Sequence, residues 1–191
     1  MDIHQLFDPE KTYLKGKKAF IFDMDGTLID SMKYWRNTAG ENITKYPSQI
    51  EYLFEKYNTV IEPKKNALEF LTLLHKNGFK VGIASDTPRA LSNGFFKRHD
   101  FDSVIDCYIG SDDVGVYKHV SSEIFLYTAR KLGASPEECI VFEDNKTSVI
   151  SAVNAGMDVV GVFDNENAEN EEYIRSICVD YIYDMGEMFR K

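Results

Sequence analysis

Only three cysteines occur, Cys107, Cys139 and Cys178, odd in number, far apart and without a Cys-x-x-Cys pair. That spacing builds no disulfide frame, and reduced, mostly buried thiols of a cytoplasmic protein are expected. Long apolar runs are missing too. No stretch approaches the roughly 20 residues that a membrane span needs. Residues 1–18 carry acidic side chains and lack the continuous apolar segment of a signal peptide. Basic residues are outnumbered, 22 Lys and Arg against 31 Asp and Glu, which leaves a formal net charge of -9. Nucleic acid or an anionic membrane would need a basic patch or stripe, so neither is expected as a partner. Internal repeats and low-complexity segments are absent as well.

What is there suits one domain, or one domain with an insert. The 191 residues are 43% hydrophobic, and 12 glycines bring the apolar share to the globular norm. A chain of this length buries roughly 70% of its unfolded surface. The acidic balance sets a condition on any anionic substrate: its site must be made positive locally.

Short apolar runs alternate with helical patterns from residue 19 onward. Ala19 to Phe22 stops at Asp23, Val81 to Ala84 at Ser85-Asp86, Cys139 to Phe142 at Glu143-Asp144, and Val159 to Phe163 at Asp164. Runs without polar alternation suit parallel strands covered on both faces. Between them, Pro63 to Lys76 is a helix ended by Asn77-Gly78, Ser122 to Leu132 one ended by Gly133, and Lys146 to Ala155 one ended by Gly156. Ser135-Pro136-Glu137-Glu138 has capping-box spacing and predicts a short helical turn. The alternation predicts an α/β fold, a Rossmann-like three-layer sandwich with a mostly parallel sheet. Ligands of such folds bind outside the carboxyl ends of the strands, where these runs place polar or acidic residues.

Residues 31–62 break the rhythm with aromatics and no strand-like run. Ser31 to Ala39 and Ser48 to Tyr57 predict two short helices joined around Tyr46-Pro47. The expected organisation is a core domain of residues 1–30 and 63–191, with residues 31–62 as a small helical cap insert.

Asp23-Met24-Asp25-Gly26-Thr27 leaves the first strand directly. Carboxylates at i and i+2 point to one side of an extended chain, and the glycine permits a sharp turn. Such oxygens suit a hard cation such as Mg2+. Gathering Asp23, Asp25, Glu143 and Asp144 without compensation would be costly, and a bound dication removes that cost.

Residues Phe20 to Ser31 resemble the first motif of the haloacid dehalogenase superfamily. Val81 to Arg89 is similar to its second motif, and Ile140 to Asn145, continuing to Met157, to its fourth. The Glu-Asp form of the fourth motif and the position of the insert resemble the branch containing β-phosphoglucomutase and phosphoglycolate phosphatase. The resemblance implies that Asp23 attacks phosphorus to form an aspartyl-phosphate and that Asp25 serves as acid and then base. It further implies Mg2+ on the Asp23 and Asp144 carboxylates and the Asp25 carbonyl, with Glu143 nearby. Ser85 is implied on a phosphate oxygen, assisted by the Asp86 amide, with the loop residues Gly26 and Thr27 on the substrate side. Relatives that cleave carbon–halogen bonds lack the acid at Asp25, so phosphoryl transfer is favoured.

Two departures stand out. The third motif reads Tyr117-Lys118-His119-Val120-Ser121-Ser122-Glu123, without the family's prolines. Counting back from Glu123 places His119 where the lysine belongs, and a one-residue insertion restores Lys118. A lysine is the better phosphate clamp near neutral pH. The insert is also short for this branch, which favours hydrolysis over a mutase that must shield its intermediate from water. The expected enzyme is a Mg2+-dependent phosphatase acting on a small phosphorylated metabolite. A phosphomutase is the alternative in the same chemistry, and a catalytically weak binding or regulatory module the alternative outside it. The oligomeric state stays open between a monomer and a homodimer that the insert's aromatics would contact.

Overall fold

The computed structural model describes residues 6–38 and 47–189. Its centre is a six-stranded sheet of β1 (Ala19–Phe22), β2 (Lys80–Ser85), β3 (Cys107–Gly110), β4 (Cys139–Glu143), β5 (Asp158–Val162) and β6 (Asp180–Ile182). The strand order is β3-β2-β1-β4-β5-β6, and every neighbouring pair is parallel. The order reverses at β1, so the crevice there opens between the carboxyl ends of β1, β2 and β4.

The side-chain alternation of each strand feeds two cores. Phe20, Phe22, Ile83, Ile140 and Phe142 face one side, where they pack with residues of α2 (Gln49–Thr59), α3 (Ala67–Lys76) and α4 (Arg89–His99). Ala19, Ile21, Ala84 and Val141 face the other, under α6 (Glu123–Leu132), α7 (Lys146–Asn154) and α8 (Glu171–Ile177). Both faces are covered, which gives the three layers expected of continuous apolar strands. Among the described residues the remaining α-helices are α1 (Met32–Asn37) and the single turn α5 (Ser111–Val114).

One helix start and two strands differ most from the sequence reading. The helix expected from Pro63 begins at Ala67, because Asn66 takes a left-handed conformation. Residues 62–64 instead run beside residues 28–30, with Asp30 N–H donating to Glu62 O at 3.0 Å and Lys64 N–H to Leu28 O at 2.8 Å. These two segments bracket residues 31–62. Edge strands β3 and β6 had no expected counterpart. Each is short, and its first residues are only partly buried, so neither shows the unbroken apolar run of a central strand. The turn expected around Tyr46 lies outside the described residues.

Candidate active site

Parallel register sets the site. Phe22 pairs with Ile83 on one side and Phe142 on the other, so the residues after each strand emerge at one level. Asp23 N–H continues the ladder to Phe142 O at 2.9 Å. A cavity of about 630 Å³ opens there, and Asp23, Asp25, Ser85, Asp86, Lys118, His119, Glu143 and Asp144 all line it.

Asp23, Glu143 and Asp144 are buried and bring one carboxylate oxygen each within 4.8 Å of one another. Lys118, also buried, places its ammonium against Asp23 and 3.2 Å from Glu143 Oε2. Burial alone would push that ammonium down, but the Asp23 and Glu143 carboxylates more than reverse this and hold it charged. Burial and then Glu143 raise the Asp23 carboxyl well above the ordinary range, against the pull of Lys118. Glu143 is pushed up to about 7 by burial, and Asp144 is raised by burial too.

The set fits a divalent cation. Fully ionised, three carboxylates against one ammonium would carry two uncompensated negative charges, which a dication would neutralise, and all donors are oxygens, as a hard cation requires. Glu143 Oε1 is buried without a hydrogen-bond partner. Asp144 is aimed by Thr27 Oγ1, which donates to its Oδ1 at 2.8 Å, and by Asn167 Nδ2, which donates to Oδ2 at 2.6 Å. Gly26 lets it approach: a β-carbon there would lie 2.4 Å from Asp144 Oδ2, and the glycine sits at φ +92°.

Placement corrects part of the sequence reading. Gly26 and Thr27, expected on the substrate side, do not line the large cavity; both stand behind Asp144. Thr27 faces instead a smaller recess of about 220 Å³, where Lys64 and Lys65 pair with Asp164 and Asp184. Of the two third-motif candidates, Lys118 enters the carboxylate cluster, whereas His119 is exposed at the rim and stacks on Tyr117 with ring centroids 5.7 Å apart. Asp86 lines the cavity, but its carboxylate looks sideways: Oδ1 accepts from Lys118 N–H at 2.9 Å. Ser151 Oγ donates to the Lys118 carbonyl from α7, which fixes the loop from its other side. Ser85 Oγ accepts from Thr87 N–H at 3.1 Å and lines the cavity.

The carboxyl of Asp25 stands among donors. Ser31 Oγ lies 2.6 Å and Trp35 Nε1 3.4 Å from Oδ1, Tyr57 also donates to Oδ1, and Thr87 Oγ1 donates to Oδ2 at 2.7 Å. Burial and the Asp25 charge hold the Tyr57 phenol above its ordinary range, so it stays a donor. Sequence reading missed Trp35, Tyr57, Thr87 and Asn167. Thr87 was within reach, two residues beyond Ser85. The other three meet the site only through tertiary packing.

A family model for haloacid dehalogenase-like hydrolases matches residues 49–156. The chain belongs to that family. Among relatives, the pyrophosphatase PpaX of Halalkalibacterium halodurans is 26% identical over 85% of this chain and 90% of its own length. The fructose-1-phosphate phosphatase YqaB of Escherichia coli is 28% identical over 75% of this chain and 95% of its own. In fold, CbbY of Rhodobacter sphaeroides superimposes with a TM-score of 0.75 at 15% identity, covering 87% of this chain and 93% of that one. The haloacid dehalogenase-like chain is thus an enzyme whose similar relatives act as phosphatases.

Proposed function

We propose that this family member is a Mg2+-dependent phosphatase that hydrolyses a small phosphate monoester through an aspartyl-phosphate. The observation that carries the reading is the buried Asp23–Lys118–Glu143–Asp144 cluster opening on the same cavity as Asp25. Asp23, Asp144 and the Asp25 carbonyl would hold Mg2+, with Glu143 beside them. When bound, the ion supplies positive charge for the phosphoryl oxygens and keeps these carboxyls ionised.

The chain's own residues supply the rest. The Asp23 carboxylate attacks phosphorus as the bond to the leaving oxygen breaks, and Asp25 gives that oxygen a proton. Water then attacks the aspartyl-phosphate, Asp25 takes its proton, and Asp23 is restored as phosphate leaves. Lys118 and the Ser85 hydroxyl meet the phosphoryl charge. Met32, Trp35, Ile50 and Pro88 form an apolar wall of the same cavity. That wall suits a leaving group with carbon surface better than a second phosphate.

The test is phosphate release over a metabolite panel, with and without chelator, beside Asp23→Asn. Metal-dependent release that the variant lacks supports the reading. Undiminished release by the variant, or release indifferent to chelation, contradicts it. Isomerisation of a phosphosugar without net phosphate release would make the enzyme a mutase.

A further inference from the structure

Three described donors of the insert converge on one oxygen of Asp25. Ser31 stands at its start, Trp35 on α1 and Tyr57 on α2, and all direct hydrogens at Oδ1. Tyr57 and Trp35 also form a chain, since Trp35 Nε1 donates to the Tyr57 hydroxyl at 2.9 Å. An indole N–H can only donate and an ionised carboxylate can only accept, so the phenol between them has one orientation. By contrast Oδ2 receives a hydrogen bond only from Thr87 among the described residues, at 2.7 Å.

The donors are held firmly. Tyr52, Leu53 and Tyr57 of α2 are buried in the same cluster as Leu91, Phe95 and Phe96 of α4. Gly94 allows the helices to close up, because a β-carbon there would lie 1.6 Å from Asn58 Oδ1. Arg98 on α4 donates to the Ile61 carbonyl and pairs with Glu62 at 2.7 Å. The insert is therefore docked where it can fix the acid–base carboxyl.

We propose that Tyr57 and Trp35 are positioning residues for Asp25, holding Oδ1 so that Oδ2 is the oxygen that exchanges the proton with the leaving group and the water. The proposal rests on the phosphatase reading, through the role of Asp25. Donation from Oδ2 puts the proton on the departing oxygen and leaves Asp25 ionised; abstraction from water returns it. Oδ1, filled by its donors, has no free lone pair for either step.

The test compares two phosphate esters in Tyr57→Phe and Trp35→Phe. Benzyl phosphate has an alkoxide leaving group that needs a proton. p-Nitrophenyl phosphate has one that departs without it. The quantity is kcat/KM, which covers events up to phosphoryl transfer onto Asp23. Misaimed acid catalysis should lower kcat/KM for benzyl phosphate by about tenfold or more, a part of the 100- to 10,000-fold such groups supply. The value for p-nitrophenyl phosphate should fall by much less, since its transfer bypasses the proton, and any ring surface that Trp35→Phe takes from the cavity wall bears on both aromatic esters alike and cancels in their ratio. Equal losses on both esters would mark a structural role and overturn the proposal, as would no loss on either. Should Tyr57→Phe fail to fold, Trp35→Phe reads the same ratio. Wild-type turnover that survives Asp23→Asn would instead overturn the phosphatase reading, and this proposal with it.

Discussion

The main-chain amide of Lys118 donates to Asp86 Oδ1 at 2.9 Å, which fastens the loop before α6 to the loop after β2. Ser151 of α7 holds the same lysine through its carbonyl. With its backbone gripped at both ends, Lys118 has one direction left for its side chain, into the carboxylates of Asp23 and Glu143. His119, one residue on, is turned out to the rim.

Substitution at these two positions should therefore be unequal. Lys118→Met removes the cation that faces the phosphoryl group and should lower kcat by about 100- to 1,000-fold, the scale of losing one charge-stabilising donor. His119→Ala should leave kcat within a few-fold of wild type. Steady-state kinetics on one phosphate ester decides between them, and a larger loss in the histidine variant would reverse the assignment.

The same neighbourhood shows how much was legible in the sequence. The central strands were, because residues 19–22 and 139–142 are apolar runs buried on both faces and cut off by acids. So were the carboxylates at their ends. The choice between Lys118 and His119 was not, since the loop lacks the family's prolines and only three-dimensional anchoring by Asp86 and Ser151 settles its register. Trp35 and Tyr57 were illegible for another reason: they reach Asp25 from 10 and 32 residues away through helix packing that leaves no local pattern. Edge strands β3 and β6 were lost because they are short, only partly buried at their starts and mixed in residue type.

Stability of the metal-free protein should depend on pH through Glu143. Its folded value of about 7 lies above the ordinary carboxylate range, so the folded state binds this proton more tightly than the unfolded chain. Its contribution is complete below the ordinary value and is lost as pH rises through about 7. In chelator, the midpoint of thermal unfolding should fall across that window, and Glu143→Gln should flatten the fall. Added Mg2+ should raise the midpoint most on the alkaline side, where the carboxyl is already ionised.

Gly26→Ala should injure the proposed cation site without replacing a carboxylate. The residue sits at φ +92°, and its new β-carbon would meet Asp144 Oδ2 at 2.4 Å. The left-handed backbone costs about 1–2 kcal/mol, which lowers the unfolding midpoint by roughly 2–8 °C in a chain of this size. Displacement of Asp144 should raise the Mg2+ concentration for half-maximal activity by about tenfold or more, since one ligand is misplaced. Calorimetry and a metal titration check the two effects separately.

The most direct test of the central claim is mass spectrometry of enzyme quenched in acid during turnover. The expected result is one phosphoryl group on the peptide that carries Asp23, absent from Asp23→Asn treated alike. Steady turnover with no phosphoryl group on that peptide, or with one on another residue, would contradict Asp23 as the nucleophile.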